Sequence, residues 1–268
     1  MVAASPLAGD EFWVAASSFT TPTTLLRGDA SGALTEAKRA PAHFDTSGLE
    51  TRQHWVTSAD GTRLPYFITG DFSGGARPTL VGGYGGFEVS LTPAFSNVRG
   101  IAWLEQGNFY VQPNLRGGGE FGPEWHSQVV KTNRHKVWED HKAVLEDVVA
   151  RGYATAAQIA IRGGSNGGLL TPRALVQYPE CFGAAVIQVP LTDMLRYHTL
   201  SAGASWMAEY GDPDNPEERA AIETWSPLHN VRPREEVAYP PALVTTSTRD
   251  DRVHPAHART FALALWRA

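Results

Sequence analysis

The chain has 268 residues, 42% of them hydrophobic and 10% aromatic, which is enough to bury one full core. Lys and Arg number 23 against 28 Asp and Glu, so the formal charge is −5 and there is no basic footprint for nucleic acid or an anionic membrane surface. The lone cysteine, Cys181, excludes an internal disulfide framework and a cysteine-rich zinc module.

No apolar run approaches the roughly 18 residues that span a bilayer. The first residues lack the basic and apolar regions of a signal peptide, and the expectation is a cytoplasmic protein. Residues 1–50 read as a β meander. Phe12 to Ala16 and Thr24 to Arg27 are short β-prone runs, and Asp29-Ala30-Ser31-Gly32 is a turn signal. Such a piece cannot bury two faces alone, so it reads as an appendage.

From residue 51 the texture changes. Strands are expected at 63–68, 79–81, 109–113, 158–161, 184–189 and 241–246. Helices are expected at 136–152, 169–178 and 255–266. In the first helix Val137, Val144, Leu145 and Val148 share one stripe, which His141 interrupts. Glu139 and Asp140 read as solvated charges near the helix start. Strands alternating with helices imply an α/β fold with a mostly parallel, helix-covered sheet. Pro172 falls inside the second helix, where an interior proline can cost about 3 kcal/mol or kink the helix.

The strongest local signal is Gly163-Gly164-Ser165-Asn166-Gly167-Gly168. It contains G-x-S-x-G between an expected strand and an expected helix, the context of a nucleophile elbow. A strained strand-to-helix turn lifts the Ser165 hydroxyl above the sheet, and small neighbours let the backbone pack there. The amide of Asn166 then points at the oxyanion from a helix N-terminus. A hydrolase of this kind orders its residues as serine, acid, histidine. Asp250, just after the strand 241–246, is the expected acid. Only His254 and His257 follow it, within seven residues, so the base is expected to lie beyond Ala268 or to be lacking.

Six blocks together resemble the prolyl oligopeptidases, serine peptidases whose α/β-hydrolase domain lies under a β-propeller, and the bacterial branch in particular. They are YGGF at 84–87, NLRGGGEFGPEWH at 114–126, GGSNGGLL at 163–170, QVPLTDM at 188–194, SWMAEYGDP at 205–213 and TSTRDDRVHP at 246–255. The resemblance implies Ser165 as nucleophile and Asp250 as triad acid. It implies an oxyanion hole of Tyr84 and Asn166. Arg252 would hold a substrate carbonyl. Phe87, Leu191, Trp206, Tyr210 and Val253 would line a proline pocket, with Trp206 stacked on the pyrrolidine ring.

The resemblance further implies that residues 1–50 are the end of a propeller and its connector. Residues 51–268 would be a hydrolase domain incomplete at its C-terminus, ending its sheet at an uncovered edge. The expected activity is hydrolysis on the carboxyl side of proline in short peptides. No cofactor, metal, nucleic acid or membrane partner is expected, and the full-length protein would be a monomer. The family's histidine has no match here, so this chain by itself is expected to be impaired. The alternatives are a related esterase or amidase, or a non-catalytic truncated chain or pseudoenzyme.

Two other patterns compete. Gly117-x-Gly119-x-x-Gly122, with Glu139 and Asp140 about 20 residues on, matches a dinucleotide fingerprint, but Pro113 and Arg116 stand where a helix should open. His254 and His257 have helical metal-ligand spacing, but no third ligand is evident. Cys181, without a basic neighbour to activate it, reads as a small buried residue.

Overall fold

A computed structural model describes the backbone of residues 2–4 and all of residues 9–268. The chain forms two compact units. The first gathers the N-terminal stretch up to Arg52 with residues 69–74 and 92–109. The second holds residues 53–68, 75–91 and 110–268.

In the first unit, β1 (Val2–Ala4), β2 (Phe12–Ala16), β3 (Thr24–Gly28) and β4 (Leu34–Arg39) form an antiparallel meander in chain order. The turn between β3 and β4 is the expected one: Asp29 Oδ1 accepts the Ser31 amide at 2.8 Å. A short helix, α1 (Asn97–Ala102), is capped by Ser96, whose Oγ accepts the Arg99 amide. Asn97 Oδ1 accepts the His43 amide at 2.7 Å. Phe44 stacks on Phe95 with ring centroids 4.9 Å apart.

The second unit holds most of a mixed seven-stranded sheet. Its strands are β5 (Glu50–Thr57), β6 (Arg63–Gly70), β7 (Thr79–Gly82), β8 (Phe109–Pro113), β9 (Ile159–Gly164), β10 (Ala184–Gln188) and β11 (Ala242–Thr245). They lie in the order β11-β10-β9-β7-β8-β6-β5, and β7, β9, β10 and β11 pair in parallel. The helices are α2 (Pro123–Ser127), α3 (His135–Ala150), α4 (Gly167–Gln177), α5 (Met207–Tyr210), α6 (Pro216–Trp225) and α7 (Ala256–Arg267). This is the helix-covered α/β sheet expected from the alternation, in the α/β-hydrolase-like form that the resemblance implies. Leu64, Tyr66, Ile68, Val81, Ile159 and Ile161 are buried along the inner strands, as both-face coverage requires. The outer strand β11 leaves Leu243 59% exposed.

The inner face of α3 is richer in polar groups than its apolar stripe suggested. Asp140 and His141 are buried beside Val137, Val144, Leu145 and Val148. Asp140, read from sequence as a solvated charge, is instead the partner of the fully buried Arg116. Arg116 Nη2 donates to Asp140 Oδ1 at 2.6 Å, and its Nε donates to Oδ2 at 2.9 Å. The other Arg116 nitrogen, Nη1, donates to Asp60 Oδ2 at 2.6 Å, and Nη2 also reaches Ser58 Oγ. A guanidinium satisfied on several sides is the form in which a buried charge is tolerated. His141 Nδ1 meets the Tyr178 hydroxyl at 3.0 Å.

Pro172 does not break α4. Lacking an N–H, it leaves the Gly168 carbonyl without its helical donor. That carbonyl accepts the Leu191 amide at 3.2 Å from the segment after β10. The helix stays buried along its length, and its missing bond becomes a tie to the neighbouring loop. Cys181 is half-buried rather than buried, and burial pushes its thiol up to about 11. Among the described residues no helix is long and apolar enough to cross a membrane.

Two outcomes follow. Arg116→Leu leaves Asp140 buried and uncompensated, and should cost about 3–5 kcal/mol in denaturant unfolding. Burial lowers His141 to about 3 and His257 to about 4. Both folded values lie below the ordinary ~6.5, so the unfolded chain binds more protons in that window. Stability should be full above pH ~6.5 and fall below it, by up to about 1.4 kcal/mol per pH unit for each ring. His141→Gln should remove one proton's share of that slope in melts between pH 6.5 and 4. An unchanged slope would refute the assignment.

Candidate active site

The end of β9 turns into α4 at Ser165, which has φ +56°. A non-glycine residue in this left-handed region costs on the order of 1–3 kcal/mol and persists only where its surroundings hold it. The Ser165 amide donates to Gln188 O of β10 at 3.1 Å. A Cβ on Gly163 would sit 2.2 Å from Gly167 O, and one on Gly167 would sit 2.4 Å from Gly83 O. The glycines flanking Ser165 are therefore demanded by backbone-to-backbone contact. That is the local reason the sequence forms an elbow here.

Opposite the elbow runs the loop after β7, Tyr84-Gly85-Gly86-Phe87. Phe87 and Glu88 are both left-handed, with φ +55° and +57°. The Glu88 amide donates to Gly117 O at 2.9 Å. Gly117 has φ +93°, and a Cβ there would lie 2.6 Å from Gly85 O. Arg116, the buried anchor, immediately precedes this contact. Ser165 and Tyr84 line the same cavity. Burial raises the pKa of the Tyr84 hydroxyl, with the Arg252 charge opposing, so it stays a proton donor at neutral pH.

Ser165, Tyr84, Phe87, Leu191, Trp206, Tyr210 and Arg252 line one cavity of about 270 Å³, together with Ala202 and Ser205. Phe87 and Tyr210 meet edge to face, with centroids 5.5 Å apart. A larger cavity of about 420 Å³ lies between β11 and α7, but its lining has no charged side chain and no serine, threonine or cysteine.

Beneath the Ser165 cavity lies a buried polar cluster. Asn166 is fully buried. Its Oδ1 accepts from Arg134 Nη2 at 2.6 Å and from the Tyr210 hydroxyl at 2.8 Å, and its Nδ2 donates to Tyr84 O at 2.6 Å. Arg134, also fully buried, pairs with Glu209 through Nη1 and donates from Nη2 to Gly85 O. Glu209 Oε1 accepts the Phe87 amide at 3.0 Å, and Oε2 meets His126 Nε2 at 2.6 Å. Burial works to raise the Glu209 carboxyl, but the Arg134 charge and the His126 bond together hold it below the usual range.

Sequence reading missed Arg134 and Glu209. Glu209 lies inside the block SWMAEYGDP, but a carboxylate beside an aromatic carries no sign of what it will pair with. Arg134 precedes α3 in a stretch that reads as surface.

Asp250 and Val253 lie outside the cavity lining. Asp250 is part-exposed on the loop after β11, where its Oδ1 accepts the amides of Arg252 at 3.1 Å and Val253 at 2.9 Å. Val253 is buried. His257 Nδ1 accepts the amides of Thr192 and Asp193, and His254 Nδ1 accepts the Ala256 amide. The two rings are engaged separately and do not converge as ligands. In the glycine motif 117–122, Asp140 is held by Arg116 and only the five-residue α2 follows.

Comparison with known proteins agrees with the architecture. A sequence profile described as the prolyl oligopeptidase family matches residues 93–268. An uncharacterized peptidase of Sinorhizobium fredii is 46% identical over 257 residues, covering 94% of this chain and 35% of that protein. A prolyl endopeptidase of Elizabethkingia miricola is 36% identical over 260 residues, covering 95% of this chain and 36% of that protein. The chain thus spans about a third of the length of these relatives.

Among solved structures, prolyl oligopeptidase B of Galerina marginata is 34% identical with a TM-score of 0.91, over 99% of this chain and 38% of that chain. It was solved with a 35-residue hydrolysis and macrocyclization substrate as a serine-to-alanine mutant, and with substrates as histidine and aspartate mutants. The interval between its mutated serine and aspartate differs by one position from that between Ser165 and Asp250. The same interval to its mutated histidine, counted from Asp250, would fall past residue 268. By profile, sequence and fold together, this chain belongs to the prolyl oligopeptidase family.

Proposed function

We propose that the chain carries the nucleophile, oxyanion hole and proline pocket of a serine peptidase that cleaves after proline in short peptides. One observation carries this reading: a single cavity holds Ser165, the Tyr84 hydroxyl, an aromatic wall of Phe87, Trp206 and Tyr210, and the cation Arg252. A flat aromatic face suits a rigid, apolar pyrrolidine ring, and a guanidinium suits the carbonyl before it.

In this mechanism Ser165 Oγ attacks the carbonyl carbon of the substrate proline. Its proton passes to a histidine base. The carbonyl oxygen becomes an oxyanion held by the Asn166 amide and the Tyr84 hydroxyl. The intermediate collapses as the base returns the proton to the leaving amine, and an acyl-Ser165 ester remains. Water then repeats the sequence and frees the acid. Asp250 orients the base, and the two amides on its Oδ1 aim its carboxylate and set the direction of Arg252. His254 and His257 are engaged elsewhere, and the aspartate-to-histidine interval of the Galerina marginata protein, counted from Asp250, supports a base outside residues 1–268. These 268 residues alone are therefore expected to turn over acyl-proline substrates far more slowly than a protein that includes that segment.

The test is hydrolysis of a chromogenic acyl-Xaa-Pro amide by the intact protein. Ser165→Ala should cost at least about 10³-fold in kcat. Trp206→Ala should lower kcat/KM by about 10–100-fold, because stacking and burial of the ring are lost together. Arg252→Met should penalise substrates with a carbonyl before proline more than those without one. Turnover of simple esters with no preference for proline would instead support the esterase reading. Ser165→Gly should be more stable than Ser165→Ala by about 0.5–1 kcal/mol, since glycine relieves the left-handed strain that alanine keeps.

A further inference from the structure

We propose that Arg134 and Glu209 are positioning residues of the oxyanion hole, an ion pair that holds Asn166 and Tyr84 in register with one another through the Asn166 carboxamide. The inference rests on the proposed role of Ser165, Asn166 and Tyr84. It goes beyond that role by naming what aligns the two donors.

The geometry is specific. An oxyanion donor must lie about 2.7–3.1 Å from where the charge develops, and an error near 1 Å can cost about 100-fold. The two donors here come from different elements, the start of α4 and the loop after β7. A direct side-chain link joins these residues: Asn166 Nδ2 donates to Tyr84 O at 2.6 Å. The amide can make that bond only if its oxygen faces the other way, and Arg134 Nη2 and the Tyr210 hydroxyl both donate to that oxygen.

Arg134 also holds the Gly85 carbonyl, while its partner Glu209 holds the Phe87 amide. Two backbone groups of the loop are thus tied to one ion pair, and a third, Tyr84 O, is tied to it through Asn166. The fit is close: a Cβ on Gly86 would lie 2.5 Å from Asn166 Nδ2 and 2.8 Å from Arg134 Nη2.

The cluster is not arranged for stability alone. Arg134 Nε is buried with no hydrogen-bond partner. Leaving such a donor unsatisfied is costly, and a purely structural guanidinium would be expected to use it, as Arg116 does with Asp140. Arg134 spends its two terminal nitrogens on Glu209, Gly85 and Asn166 instead.

The pocket wall is only partly attached to this cluster. Tyr210 and Phe87 touch it and Trp206 caps the helix that carries Glu209, whereas Leu191 and Arg252 belong to other segments. Loss of the ion pair should therefore fall on the transition state more than on ground-state binding.

The experiment compares Glu209→Gln and Arg134→Lys with the parent in the intact protein, with melting curves to confirm folding. Glu209→Gln keeps an acceptor for the Phe87 amide, loses the charge that aims Arg134 and turns an amide NH2 toward His126. Four quantities are read: kcat and KM on the acyl-Xaa-Pro amide, the inhibition constant of an acyl-prolinal aldehyde, which adds Ser165 Oγ across its C=O to form an oxyanion-like hemiacetal, and that of the matching acyl-proline acid.

The expected result is a 10–100-fold fall in kcat with KM moved less than threefold. The aldehyde should weaken by the same factor while the acid moves less than threefold. Folded variants that keep kcat and aldehyde affinity within threefold would overturn the inference. So would equal weakening of aldehyde and acid, the mark of a general loss of the pocket. If Arg134→Lys fails to fold, Glu209→Gln decides between the same outcomes. A parent that turns over the substrate only when Ser165 is intact shows that the functional reading stands while the variants are judged. A parent with no such turnover overturns that reading and this inference with it.

Discussion

Everything at this site depends on how closely the backbone packs at the elbow. At Gly163 and Gly167 there is no room for a single Cβ, because the end of β9, the start of α4 and the residue after β7 are in van der Waals contact. This contact lets α4 begin directly off β9. It holds Ser165 in its left-handed conformation, and the Ser165 amide is taken up by Gln188 of β10. Strain of this kind survives only if the neighbours cannot relax. Here two parallel neighbours in the sheet, β7 and β10, flank β9 and give it no freedom. Pro172 adds to the same constraint from an unexpected side, because the carbonyl it strands is captured by the Leu191 amide. Leu191, which lines the Ser165 cavity, is thereby fixed to the helix that begins beside Ser165.

Two buried arginines make the next layer. Arg116 and Arg134 stand at the two ends of one construction, the first paired with Asp140 of α3 and the second lying just before that helix. Each reaches a glycine-rich loop, Arg116 at its own position in 114–122 and Arg134 at Gly85. Glycine-rich loops pay heavily in chain entropy when ordered. They cannot be held by side-chain packing, because they have few side chains. Charge-assisted hydrogen bonds are the remaining means: the Arg134 guanidinium donates to Gly85 O, and the Arg116 amide donates to the Asp140 carboxylate that its own guanidinium holds. The desolvation of each arginine is then a cost of using loops without side chains close to Ser165.

Much of this was legible in the sequence, and the rest was hidden for a definite reason. The strands β6 to β11 and the helices α3, α4 and α7 announced themselves through apolar periodicity, and the elbow through its glycines. Short elements such as α1 and α2 carry no periodic stripe. Asp140 was misread because charge usually means solvent. Its partner, Arg116, lies 24 residues earlier in the chain, and no local rule connects them. Arg134 and Glu209 are 75 residues apart and were missed for the same reason. Pairing of buried charges is a tertiary fact, set only when the sheet order brings the loop after β7 beside α4. The six sequence blocks contain Arg116 and Glu209 but neither Arg134 nor Asp140, and they do not say what each residue touches.

On the proposed reading, substrate recognition and chemistry share one connected set of bonds. Tyr210 is a wall of the cavity through its ring and a donor to Asn166 through its hydroxyl. Phe87 is a wall through its ring, and its amide is tied to Glu209. A ring that fills the cavity presses on the same residues that align the Asn166 amide and the Tyr84 hydroxyl. Interactions far from the scissile bond can then be expressed in the transition state and not only in binding. A substrate lacking the pyrrolidine ring would leave Phe87 and Tyr210 unsupported and the donors less well aligned. Selectivity for proline would therefore be expressed in kcat as well as in KM, because the pocket that reads the ring is also the frame of the oxyanion hole.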